Sequence, residues 1–421
     1  MKLKQFAALR FLSVGLEIIF GFIQPFLFHK FFNDSAFAFI LLLYGYAVYF
    51  SFFDVGFGKL AYAKIRSKYV QGKPVKNEVE DAIIFYTSLF LIIAFFFALF
   101  ALVFSTIRQS PFLPIVLVLF SINIAGNIVF TFLRGVFNAF DASATFEKYD
   151  IIRKVINIGS LILIAVDNSL LTTQVCTIGG IALLFFFILR HLYRQFGIKF
   201  QKSWLNIFRQ LSRLRQSFAE TKFIFVFSIF EALIYNSGYI LIPIFLTNRD
   251  IIQYGLWMKI SMGIATLMRV ITDVMIHPLT RTYFNNQMAA ARSVFNKTIF
   301  ASLGLVLAAC LSFYLIQDIF MAYWVDSTYI FNNALLLTLL MMLAGNGLQH
   351  VSGSFLLSLG NKYKWMSMVS GTIAFCSVFL PAIAWWHYKS LQAGLLIATG
   401  IYLTGSFVYF YKARKTLAHP L

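Results

Sequence analysis

Twelve stretches of 18 or more largely apolar residues follow one another along this chain. An α-helix of about 20 residues spans roughly 30 Å, the hydrocarbon thickness of a bilayer. In lipid, backbone N–H and C=O groups must be satisfied internally, so long continuous apolar runs read as spanning helices. The expected spans are 6–28, 36–58, 82–105, 113–137, 150–167, 171–190, 223–247, 253–279, 297–320, 332–358, 366–386 and 391–411. The fold class expected is an all-α polytopic membrane protein of twelve transmembrane helices. Composition agrees: the 421 residues are 60% hydrophobic and only 12% charged, about half the charged share of a soluble domain. The opening MKLK and its apolar run resemble a signal peptide. The run is too long for an h-region and lacks a small-residue cleavage site, so it reads as an uncleaved first span.

Orientation follows from Lys and Arg. With the N-terminus cytoplasmic, the inside segments hold 27 of the 35 basic residues and the outside loops hold four: Lys30, Arg108, Arg249 and Lys389. A missed or invented span would scramble that split. Both termini are therefore expected in the cytoplasm. The net charge of +19 is read as retained positive loops rather than as a nucleic-acid surface, because no basic cluster forms a folded domain of its own. Cys176, Cys310 and Cys376 lie in apolar helices without metal spacing and read as packing residues.

Residues 191–222 are the longest polar stretch and divide six helices from six. Trp204, Phe208, Leu211, Leu214 and Phe218 recur at helical spacing among Arg209, Arg213 and Arg215, the pattern of an amphipathic helix on an anionic leaflet. The expected organisation is an N-terminal lobe 1–190, a cytoplasmic connector 191–222 and a C-terminal lobe 223–421. A weak internal repeat supports two halves. Gly21, Pro25 and Asn33-Asp34 in the first correspond to Gly238, Pro243 and Arg249-Asp250 in the second. Paired Gly/Pro interruptions in matching helices point to a binding site between such halves.

The residues that most need explaining are polar and lie inside the spans. A charge at mid-bilayer costs about 2.5–3.5 kcal/mol on insertion scales, so it faces water or a partner. Arg10, Glu17 and Gln24 sit seven residues apart and so share one stripe of the first helix. Arg10 is close enough to the inner surface to snorkel, whereas Glu17 is about 10 Å deeper. Arg269 and Asp273 share a face of the eighth helix as an i,i+4 pair. Lys259, on the same helix, has no acid three or four residues away and is the best single candidate to meet an anionic ligand. Glu231, with Tyr235 and Asn236 a turn later, is the alternative partner for Lys259. Asn123, Asn127 and Arg134 on the fourth helix, and Asn346, Gln349 and His350 on the tenth, each read by themselves more readily as interhelical hydrogen-bond glue than as ligand contacts. Taken together they suggest a hydrophilic central cleft. Neither a Walker loop, nor zinc spacing, nor a nucleophile elbow occurs, so the expected protein is a transporter rather than an enzyme. Short outside loops disfavour a membrane glycosyltransferase or polymerase, and a scaffold would have no need of lone intramembrane charges.

The segment FFNDSAFAFILLLYGYAVYFSFFDVGFGKLAYAKIRSKYVQGK, with its Asp54-x-Gly56-x-Gly58 turn and basic tail, resembles the second helix and following loop of Wzx-type polysaccharide repeat-unit flippases. HPLTRTYFNNQMAAARSVFNKT, residues 277–298, is similar to the Pro-led segment after the eighth helix of the same family. The resemblance implies the multidrug/oligosaccharidyl-lipid/polysaccharide exporter superfamily, with two six-helix lobes around a central cavity. It implies transfer of undecaprenyl-diphosphate-linked oligosaccharide, of O-antigen type, from the inner to the outer leaflet of a bacterial inner membrane. A polysaccharide polymerase and chain-length machinery would be the implied partners. No cofactor is expected beyond a coupling H⁺ or Na⁺, for which Glu17, Glu231 and Asp273 are candidates. The alternative is a cation-coupled drug exporter of the same superfamily. The expected cavity residues are Arg10, Glu17, Gln24, Asn123, Asn127, Arg134, Glu231, Asn236, Lys259, Arg269, Asp273 and Gln349.

Overall fold

A computed structural model describes residues 3–50, 57–107, 112–197, 207–359 and 362–418. The described residues are almost entirely helical, with no strand among them. The α-helices are α1 Leu3–Phe31, α2 Asp34–Phe50, α3 Phe57–Val70, α4 Lys76–Ile107, α5 Pro114–Ala139, α6 Ser143–Ile162, α7 Ile164–Asp167, α8 Leu170–Phe196, α9 Ile207–Phe245, α10 Asn248–Phe284, α11 Met288–Trp324, α12 Asn333–Ser358, α13 Tyr363–Tyr388 and α14 Leu391–Ala418. Ten helices among the described residues are long and apolar enough to cross a membrane. Of the two remaining expected spans, one is the shorter apolar helix α2 and the other is α6 with α7.

Helix ends follow from local chemistry. Pro114 sits at the first position of α5, where its missing N–H is no loss. Ser169 caps α8 by accepting from Thr172 N, and Asn332 caps α12 by accepting from Leu335 N at 3.0 Å. At the start of α10, Thr247 and Asp250 form a reciprocal capping box. The repeated proline signals also appear as a structural pair: Pro25 lies inside α1 and Pro243 inside α9. Each of these helices is followed by a short turn into the next, and Asn33 Oδ1 accepts from Ala36 N at the first of them.

The chain divides into two compact units, Met1–Phe225 and Val226–Leu421. In the first, α3, α4, α5 and α8 share a core around Ile65, Tyr86, Phe132, Phe137 and Ile188. An aromatic ladder of Tyr46, Phe100 and Phe104 joins α2 to α4. The basic segment after the second span is not an open loop. Residues 57–70 are the helix α3, and Arg66 on it donates to the Ala139 carbonyl at the end of α5. The turn at Asp54 lies outside the described residues, as does the connector around Trp204. The part of the connector from Ile207 onward continues without a break into the seventh span as α9.

In the second unit α14 packs on α12 and α13, and α10 on α11 and α12. Lipid offers no hydrophobic drive between apolar helices, so association there rests on close packing and interhelical hydrogen bonds. Gly345 of α12 shows the closeness required. A Cβ there would fall 2.7 Å from the Tyr402 ring of α14.

Candidate functional site

Each unit gathers several of its intramembrane polar residues into one network, and the two networks differ in kind. In the first unit α1 and α6 run parallel. Arg10 Nη1 meets Glu147 Oε1 at 3.5 Å, Ser13 Oγ donates to Asp150 Oδ2 at 2.8 Å, and Lys154 Nζ donates to Glu17 Oε2 at 2.9 Å. All three contacts join residues 137 positions apart. A constant offset of this sort arises only when two helices point the same way. The spacing is 10, 13, 17 on α1 and 147, 150, 154 on α6, the three-then-four step of one helical face. The first and fifth spans therefore share a direction, as the distribution of basic residues requires.

Asp150 is the hub. Its two oxygens accept from Ser13, from Arg134 Nη2 at 2.9 Å and from Arg153 Nε at 3.1 Å and Nη2 at 2.8 Å. Lys154 Nζ lies 3.3 Å from Asp150 and also donates to the Ser13 carbonyl and hydroxyl. Arg153 donates further to Asn127 Oδ1, and Arg134 Nε is 3.9 Å from Glu147. The acids Asp150 and Glu147 are sealed in, at 1% and 4% side-chain exposure, while Arg10 and Arg134 are about one-third exposed. Glu17 is 59% exposed. Four cations (Arg10, Arg134, Arg153 and Lys154) meet three carboxylates (Glu17, Glu147 and Asp150), leaving one positive charge in excess. Glu147 and Asp150 lie inside with Arg153 and Lys154, at 15% and 7% exposure, so the reachable members of the network are Arg10, Arg134 and Glu17.

The second unit holds a carboxylate among neutral donors. Gln349 Nε2 of α12 donates to both oxygens of Glu231, at 2.9 and 2.8 Å, and Ser370 Oγ of α13 donates to Oε1 at 2.7 Å. Tyr409 of α14 bonds Ser370 at 2.6 Å, and Ser406 donates to Gln349 Oε1. A second limb runs from Tyr235 to Tyr402, which donates to Asn346 Oδ1 at 3.1 Å. The result is a belt of uncharged groups from four helices around one acid.

Of the residues singled out in the sequence, Arg10, Glu17, Asn127 and Arg134 converge in the first network, and Glu231 and Gln349 in the second. Gln24 is buried further along α1 and hydrogen-bonds Tyr44 of α2. Asn123 donates to Gln174 of α8 at 3.2 Å. Asn236 is buried and donates back to the Ala232 carbonyl. Lys259 is half-buried on α10, and Arg269 and Asp273 are exposed on the same helix. Ser13, Glu147, Asp150, Arg153 and Lys154 were absent from the expected set. Lys154, near the start of the fifth expected span, is 5% exposed. The reason is that α6 begins at Ser143, two turns before the apolar run that marks its span. Its acidic face therefore packs along α1. The matching 3–4 spacing of opposite charges on the two segments was the available signal.

No family model matches the chain, and no curated protein matches it. Solved structures do. A structure of a MATE transporter in complex with MaL6 superposes with a TM-score of 0.69 at 12% identity, covering 98% of this chain and 95% of that one. The inward-facing conformation of a multidrug resistance MATE family transporter of the MOP superfamily gives 0.67 at 10%, covering 97% and 94%. The Vibrio cholerae MATE transporter VcmN in its bent form gives 0.61 at 15%, covering 99% and 98%. The chain thus has the all-helical, twelve-span, two-lobed fold of those transporters, and it is a multi-pass membrane protein.

Proposed function

We propose that this chain is a membrane exporter that moves an undecaprenyl-diphosphate-linked oligosaccharide from the inner to the outer leaflet of a bacterial inner membrane by alternating access. The observation that carries the reading is the first network, which seals Glu147 and Asp150 inside while the guanidinium groups of Arg10 and Arg134 stay reachable. A diphosphate and its glycan cannot cross hydrocarbon unaided. Arginine forks replace water around phosphate oxygens bidentately, and amides and hydroxyls meet sugar. A membrane potential negative inside favours outward movement of an anion by about 2.3 kcal/mol per charge per 100 mV. Within the second unit, Lys259 and Arg269 on α10 are further cations for an anionic ligand, and a polymerase would take up the delivered repeat unit.

The second reading is a cation-coupled exporter of drugs or other small molecules, and the fold supports it equally. Glu231 is the observation that favours it. A carboxylate held by neutral donors is suited to taking up and releasing H⁺ or Na⁺, which would serve as coupling ion in either reading.

Replacing Arg134 and Lys259 separately by alanine in the native host tests the first reading. Lipid-linked repeat units should accumulate on the cytoplasmic leaflet and surface glycan should fall. Normal surface glycan in both variants, at normal protein levels, would overturn it. Loss of ethidium efflux in Glu231→Gln cells with unchanged glycan would favour the second.

A further inference from the structure

Beside the charge network, α4, α5 and α8 leave a cavity of about 260 Å³. Its walls are nearly all apolar, formed by Phe90 of α4, Ile122, Val129 and Phe130 of α5, and Ile181 and Phe185 of α8. Gly126 also lines it, and a Cβ placed there would meet no atom within 4 Å, so the space beside it is open. The cavity is asymmetric in polarity. At one end lies Asn123, whose amide is already engaged with Gln174. At the other lies Phe130, and its ring also carries the Arg153 guanidinium, 5.0 Å from the centroid.

From Ile122 to Phe130 the helix rises about 12 Å. In the orientation that the basic residues favour, the Phe130 end lies toward the cytoplasmic side and the Ile122 end toward mid-membrane. This is the layout of a lipid lying in the inner leaflet, with its anionic head at the arginines and its chain running inward. Any apolar slot open to a bilayer can admit hydrocarbon. What selects the head is the pair of one-third-exposed arginines, Arg134 one turn beyond Phe130 on α5 and Arg10, which a doubly charged diphosphate matches better than a zwitterionic headgroup.

We propose that the α4–α5–α8 slot holds the first units of the polyprenyl chain while the diphosphate rests on Arg134 and Arg10. This rests on the flippase reading above and adds where the tail of the carrier docks.

The test fills the slot. Gly126→Phe and, from the facing wall, Ala182→Trp are purified as full-length protein. Binding of undecaprenyl diphosphate, phosphatidylglycerol and inorganic diphosphate is then measured, with thermal melting alongside. The expected result is at least a tenfold loss of undecaprenyl diphosphate affinity in either variant that melts like the parent, with inorganic diphosphate binding unchanged. Parent-like affinity in a variant that melts normally places the tail elsewhere and overturns the slot, while the flippase reading stands. A parent protein that ignores undecaprenyl diphosphate but loses phosphatidylglycerol on filling overturns both. Should both variants fail to fold, a diazirine-bearing polyprenyl diphosphate decides on the parent protein. Labelling within 122–130 or 178–185 supports the slot, and labelling confined to residues after 225 overturns it.

Discussion

The two units hold carboxylates inside the membrane by opposite means. The first surrounds Asp150 with Arg134, Arg153 and Lys154. The second surrounds Glu231 with an amide and a hydroxyl. In a low-dielectric interior a charge network is held by strong mutual attraction but fails badly when one member is lost. A belt of neutral donors binds its acid less tightly, but it tolerates a change in that acid's charge. Fixed countercharge suits a scaffold for an anion site; neutral donors suit a group that changes state. The contrast predicts how each unit responds to damage.

The largest effect is expected at Asp150. Asp150→Ala leaves three cations facing one another and should destabilise the first unit by about 3–5 kcal/mol. Thermal melting and monodispersity of the purified protein would show it. A change under about 1 kcal/mol would mean the network is solvated and not interdependent.

In the second unit the strongest effect should come from packing. A methyl group at Gly345 would press on Tyr402, which anchors the limb through Asn346 and Tyr235. Gly345→Ala should cost about 1–3 kcal/mol, the usual range for overpacking. Glu231→Gln in the same unit should cost under about 1 kcal/mol. The Gln349 amide can flip and the Ser370 hydroxyl can rotate to accommodate an amide. If Glu231→Gln proves as harmful as Asp150→Ala, the two units do not differ as described.

Much of this was legible in the chain. Apolar runs and the alternation of Lys and Arg between successive connecting segments located the spans, because hydrophobic length and loop charge act locally. The parallel α1–α6 pairing confirms the common direction that the charge count required. What periodicity could not show was the start of α6. Ser143 to Asp150 is polar, and only its partner α1 makes it an interior face. Asp150 and Lys154 therefore read only as charges at the start of the fifth span, although their spacing mirrors that of Ser13 and Glu17. Glu231 was found as an intramembrane acid. Its donors Gln349 and Ser370 sit 118 and 139 residues away, and no local pattern links them.

The smallest effect separates the reachable arginines from the sealed acids. Arg10 touches Glu147 at 3.5 Å and keeps a third of its side chain exposed. An ion pair of that kind contributes about 0.2–1 kcal/mol, because water screens it and two long side chains must be ordered. Arg10→Ala should therefore melt within about 1 kcal/mol of the parent and still weaken binding of a diphosphate lipid several-fold. Arg134→Ala should cost more stability, since its 2.9 Å contact is to the fully buried Asp150. Melting and lipid binding measured on both variants would place each arginine between scaffold and ligand contact. Equal losses of stability would remove the distinction between a buried acidic core and a reachable cationic rim, and with it the reason for assigning the anion site to the first unit.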